Sequence, residues 1–95
     1  MILSKNFSLN EFTKSVSAIR NGIDNSPSSE HIRNIQLLVK YVLQPLREAL
    51  GSPIRITSGY RSEALNKAIK GSKKSQHCKG QAADLQFKVD GVIRS

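Results

Sequence analysis

An apolar stripe interrupted by a proline restricts this chain more than any other feature. Ile32, Ile35, Val39, Val42, Leu46 and Leu50 recur at steps of three and four, the spacing of one buried helix face. Leu38 and Leu43 broaden it. The spacing predicts a helix from about Pro27 to Leu50, with Ser26 as N-cap, Pro27 in the first turn and Gly51 closing it. Pro45 sits well inside. It has no N–H to donate and its ring collides with the carbonyl one turn back, so the helix must kink or split near Leu43–Gln44. A chain of 95 residues has room for one such core and not two. The rest of the chain must pack on this helix, and the expectation is a single domain over residues 1–95.

Upstream, Ser8-Leu9-Asn10-Glu11 fits a capping box, and Phe7 and Phe12 are spaced for a hydrophobic staple. They predict a short helix from about Leu9 to Arg20, ended by Asn21-Gly22. Downstream, Ile54-Arg55-Ile56-Thr57 alternates like a strand. Ser58-Gly59-Tyr60-Arg61 turns out of it, and Ser62 is placed to cap a helix from about Glu63 to Lys70. Gly71 to Gly80 reads as a polar loop. Gln81 to Phe87 reads as a second strand with Ala83, Leu85 and Phe87 on one face, and Val89-Asp90-Gly91-Val92 as an Asp-Gly hairpin turn into a third. Helices first and strands last make an α+β fold, with N-terminal helices packed on a small antiparallel sheet.

The 15 Lys and Arg outnumber the seven Asp and Glu, for a net charge of +8. The excess is uneven: +2 over residues 1–50 and +6 over residues 51–95. Such a surface suits a polyanion. Nucleic acid is the weaker partner, because no aromatic ring lies among Lys73, Lys74 and Lys79 to stack on bases. No apolar run approaches the roughly 18 residues of a membrane span, and Met1–Asn6 lacks the apolar core of a signal peptide. Cys78 is the single cysteine, so no internal disulfide forms.

The chemistry is concentrated in Ser75-Gln76-His77-Cys78-Lys79-Gly80-Gln81-Ala82-Ala83-Asp84. A histidine and a carboxylate are both zinc donors, Gly80 permits a tight turn between them, and small Ala82 shares a strand face with Asp84. On spacing alone, a surface histidine and a strand-end aspartate with no shared role is the favoured reading, because a His and an Asp seven apart are a weak signal.

The pattern Ser75-x-His77-x-x-Gly80-x-Ala82-x-Asp84 resembles the signature of the zinc D-alanyl-D-alanine carboxypeptidases, peptidoglycan peptidases related to the hedgehog-type fold. Thr57-Ser58-Gly59-Tyr60-Arg61-Ser62 resembles the same family's strand-to-turn motif. Asn66, Gly71-Ser72, the opening Asn6-Phe7-Ser8 with Glu11, and Val42–Arg47 also fit. The resemblance implies Zn²⁺ as cofactor, His77 and Asp84 as two of its three ligands, and a D-Ala-containing peptidoglycan peptide as substrate. It implies that Arg61 neutralises negative charge on substrate or transition state, and that Ser75 and Tyr60 line the pocket or support the loop. A clamp on loop carbonyls for Arg61, and a core ring for Tyr60, stay open beside those roles. It also implies synthesis in the cytoplasm of a bacterium or phage-infected cell and action at the wall.

The family's general base is a glutamate and its third ligand a histidine, both following the Asp84-type strand. This chain has no glutamate after Glu63, no histidine after His77 and no tryptophan. His31, Cys78 and Asp90 are poor substitutes: His31 belongs to a helix first turn, Cys78 adjoins His77 and diverges from it, and Asp90 is a turn corner. The expectation is therefore a C-terminally truncated member, covering the N-terminal two-thirds of the family domain. Such a chain would bind metal weakly and would not hydrolyse substrate alone. It could also act as a non-catalytic cell-wall binding module, and its open sheet edge could pair with a second copy.

Overall fold

The computed structural model describes residues 1–72, 75–89 and 92–94. The chain is α+β. A two-stranded antiparallel ribbon, β1 (Ile2–Ser4) and β2 (Phe7–Ser8), leads into α1 (Leu9–Thr13) and α2 (Val16–Arg20). The central helical rod follows as α3 (Ser29–Leu38), a π-helical segment (Val39–Leu43) and α4 (Gln44–Leu50). Then come β3 (Ile54–Ser58), α5 (Glu63–Ala68), a 3₁₀ turn (Gln76–Lys79), β4 (Asp84–Val89) and β5 (Val92–Arg94). The last three strands form an antiparallel sheet in the order β3-β4-β5.

The central rod meets the proline with a π-turn. Gln44 N–H reaches back five residues to the Val39 carbonyl, and the wider turn falls just before the residue that cannot donate. One extra residue per turn also rotates the apolar face. Ile35, Val39 and Leu43 are buried at steps of four, while Val42, expected inside, is half exposed. The rod starts two residues later than Pro27: Ser28 is the cap, its Oγ accepting from His31 N–H at 3.2 Å.

The helix expected over Leu9–Arg20 is two helices. Lys14 and Ser15 are extended, and Ser15 caps the second helix by accepting from Ala18 N–H at 3.1 Å. Phe12 and Ala18 are both buried. They are six residues apart and would point about 120° apart on one continuous helix, so the break lets both reach the interior. The capping residue Glu11 accepts from Ser8 N–H at 2.8 Å, and the Phe7 and Phe12 rings pack 6.3 Å apart.

The β1–β2 ribbon was not expected, because its strands are too short to show a period. Gln44 holds its turn: Oε1 accepts from Ser4 Oγ and Asn6 N–H, and Nε2 donates to Asn6 Oδ1 at 2.9 Å. Phe7, Phe12, Ile35, Val39, Leu43, Ile54 and Tyr60 make one core. β4 begins at Asp84, three residues later than expected, and pairs Ile54 with Phe87, Ile56 with Leu85 and Ser58 with Asp84. Val89 pairs with Val92 across the expected hairpin. The turn's Asp90 and Gly91, with Lys73 and Lys74 of the polar loop, lie outside the described residues. The part of that loop from Gln76 to Lys79 is a 3₁₀ turn.

Candidate metal and substrate site

The site forms where the end of β3, the 3₁₀ turn and the start of β4 converge. Two glycines permit the approach. A Cβ on Gly59 would stand 2.7 Å from the Phe12 backbone, where Tyr60 N–H donates to the Phe12 carbonyl at 2.7 Å. Gly80 has φ +72°, and a Cβ there would sit 2.6 Å from the His31 carbonyl oxygen. The loop can therefore close on α3 only with glycine at 80. Asn34 Nδ2 donates to the Lys79 carbonyl at 2.8 Å and ties the same turn down.

His77 is mostly enclosed, with its side chain 14% exposed. Its Nδ1 lies 2.6 Å from the Gly59 carbonyl oxygen. A carbonyl can only accept, so Nδ1 carries the proton and the Nε2 lone pair of the neutral ring is directed elsewhere. Nε2 faces Asp84 Oδ2 at 3.7 Å. That is too long for a hydrogen bond, but two donors bound at about 2.0–2.2 Å to one zinc ion can stand that far apart. An imidazole fixed through its far nitrogen by a carbonyl is the arrangement that orients metal-binding histidines.

Asp84 opens β4 opposite Ser58, where the register shifts between Ile56 and Ser58. An irregularity of this kind re-aims side chains at a strand end. Thr57 Oγ1 donates to the Asp84 carbonyl at 3.1 Å and fixes its backbone. The carboxylate itself is open, with the side chain 61% exposed. Arg61 Nη2 stands 3.8 Å from Asp84 Oδ2 and donates to Ser58 Oγ at 2.9 Å. Arg61 N–H donates to the His77 carbonyl at 3.1 Å, so the guanidinium and the imidazole are tied through one backbone bond. At such exposure this ion pair contributes little stability; its importance is in placing a cation beside the carboxylate.

The other two expected site residues stand behind this group. Ser75 Oγ accepts from His77 N–H at 3.3 Å and caps the 3₁₀ turn, which is a supporting position. The Tyr60 ring is buried in the core, 5.2 Å from the His31 ring. Burial pushes the Tyr60 hydroxyl pKa up, helped by the negative charge of nearby Cys78, Glu63 and Asp24. Of the residues judged poor substitutes for a third ligand, His31 and Cys78 line a different cavity and Asp90 lies outside the described residues. His31 is in the first turn of α3, half-buried with its ring against Tyr60, and it shares a separate cavity with Cys78, Glu63 and Asn66. Burial and Glu63 raise the Cys78 thiol pKa, and Arg61 opposes them. Among the described residues, no three His, Cys, Asp or Glu side chains are grouped to hold a metal ion. His77 and Asp84 thus fit two positions of a zinc site, and no third donor joins them among the described residues.

Asn25 gave no signal in the sequence, where it reads as loop. Its Nδ2 donates to the Thr13 and Tyr60 carbonyls and its Oδ1 accepts from Ser62 N–H at 2.7 Å, so it pins the turn that carries Arg61. The Gly59 carbonyl also escaped notice as the partner of His77, since a backbone atom leaves no residue-type signature.

The α+β chain thus presents a carbonyl-oriented histidine, an aspartate and an arginine together at one strand end. Residues 5–92 match the family model described as Peptidase M15, and the chain belongs to that peptidase family. No curated protein and no solved structure gives a significant match. Among the described residues, no helix is long and apolar enough to cross a membrane.

Proposed function

We propose that this chain is a zinc metallopeptidase-type domain directed at D-Ala-containing peptides of peptidoglycan. One observation carries the reading: His77 Nδ1 is bonded to the Gly59 carbonyl, which turns Nε2 toward Asp84 Oδ2 at 3.7 Å. His77 and Asp84 would hold the zinc. Bound zinc polarises a scissile carbonyl and acidifies a water molecule. Arg61, held by Ser58, offers a planar fork to a substrate carboxylate or a developing oxyanion. Ser75 keeps the His77 turn in shape, and Tyr60 backs it from the core.

No carboxylate is positioned as general base beside His77 and Asp84, and no third donor joins them among the described residues. The chain by itself should therefore bind zinc and substrate without turnover. That same observation favours a second reading, a non-catalytic binding module for the anionic cell wall. A peptidoglycan pull-down with and without chelator, run beside a hydrolysis assay on a peptide ending in D-Ala-D-Ala, separates the two. The metallopeptidase reading expects retention that falls when metal is removed. Retention indifferent to chelator supports the module and counts against the metal site.

A further inference from the structure

We infer that the outer edge of β3 is a docking edge for an extended, carboxylate-bearing peptide, which it leads toward Arg61, the residue that stands beside Asp84. This deepens the peptidase reading and rests on it for the identity of the peptide, the stem peptide of peptidoglycan. Among the described residues no strand pairs with that edge. Beside it runs a groove of about 580 Å³, within the roughly 300–1,000 Å³ of ligand sites. One wall is Arg55 to Arg61 without a gap. A groove over a sheet face meets every second residue of a strand. One that meets Arg55, Ile56, Thr57 and Ser58 in succession runs along the edge, where main-chain groups are available for a further strand.

The opposite wall is the break between α1 and α2, with Lys14 and Ser15 themselves extended. The charge is complementary to an acidic ligand. Lys14, Arg55 and Arg61 face the groove against one carboxylate, Glu11, which is engaged by Ser8 N–H. No carboxylate pairs with Lys14 or Arg55 among the described residues, whereas Arg61 stands beside Asp84 at the inner end. A strand laid here would alternate its side chains and offer a carboxylate to Arg55 or Lys14. Its chain end would arrive at Arg61.

The test uses the full chain in the presence of chelator and follows backbone amide NMR shifts. The probe is an N-acetylated five-residue peptide with one side-chain carboxylate and a D-Ala-D-Ala end. The inference expects shifts centred on Arg55–Ser58 and Lys14–Val16. It also expects weaker binding when alternate peptide amides are N-methylated, about two- to tenfold for each main-chain hydrogen bond lost. Arg55→Glu should weaken the carboxylate peptide several-fold and leave its neutral amide analogue unaffected. Equal binding of the N-methylated peptide would overturn the inference, as would shifts confined to the Asp84–Phe87 face. So would the absence of any binding, or a dimer in sedimentation that excess peptide does not dissociate. An all-L acidic peptide bound equally well along β3 would keep the docking edge and remove the peptidoglycan assignment. A His77-dependent zinc site found without peptide binding would keep the peptidase reading and remove the docking edge.

Discussion

The helical rod and the site loop are held by different forces. From Ser29 to Leu50 the chain is fixed by apolar burial: Ile35, Val39 and Leu43 are almost fully enclosed in the core. In the described residues from Ser58 to Asp84, Tyr60 and Leu65 are buried, but the site residues themselves are held by hydrogen bonds of polar side chains, made by Asn25, Ser58, Ser62 and Ser75. Arg61 and Asp84 keep 21% and 61% of their side chains exposed. The rod supplies most of the apolar burial and the loop carries the site, so substitutions in the two should differ in how they affect stability and zinc affinity.

Leu43→Ala should have the largest effect. It empties a buried position on the π-turn and should lower unfolding free energy by about 2–5 kcal/mol, read by urea or thermal unfolding. Gly80→Ala comes next. Its left-handed backbone and the close His31 carbonyl should cost about 1–3 kcal/mol, and unlike Leu43→Ala it should also loosen the turn that carries His77. Zinc affinity falling in proportion to stability in both variants would erase the distinction between rod and loop. The smallest effect concerns Cys78. Because burial and Glu63 hold its thiol pKa up, less thiolate is present at a given pH than for a free thiol, and alkylation at pH 8 should be slow. Glu63→Gln removes one raising influence, so it should lower that pKa and speed alkylation modestly, with the fold unchanged.

The same contrast explains what the sequence revealed. The stripe on the rod and its proline were readable because period and missing N–H act locally. The outcome, a π-turn that buries Leu43 and exposes Val42, depends on how the face meets Phe12 and Tyr60, which no local pattern contains. The Phe7–Phe12 staple and the Ser62 cap were legible for the same local reason. The break at Lys14–Ser15 was not, since it answers to the simultaneous burial of Phe12 and Ala18. At the site, the family resemblance gave His77, Asp84 and Arg61 as candidates, and the fold brings those three together. What orients them is a Gly59 carbonyl and an Asn25 amide, groups that carry no compositional signal. Ser75 and Tyr60, expected at the pocket, stand behind it as cap and core ring.

The central claim is that His77 and Asp84 face each other because a metal ion belongs between them. Isothermal titration with Zn²⁺ of the unaltered chain, His77→Ala and Asp84→Asn tests it directly, with thermal unfolding of each chain in parallel. The account predicts one weak zinc site per chain, abolished by His77→Ala and weakened by Asp84→Asn, with apo-chain unfolding temperatures nearly unchanged because neither residue holds the core. Zinc binding that survives His77→Ala, or no binding by the unaltered chain, would contradict it.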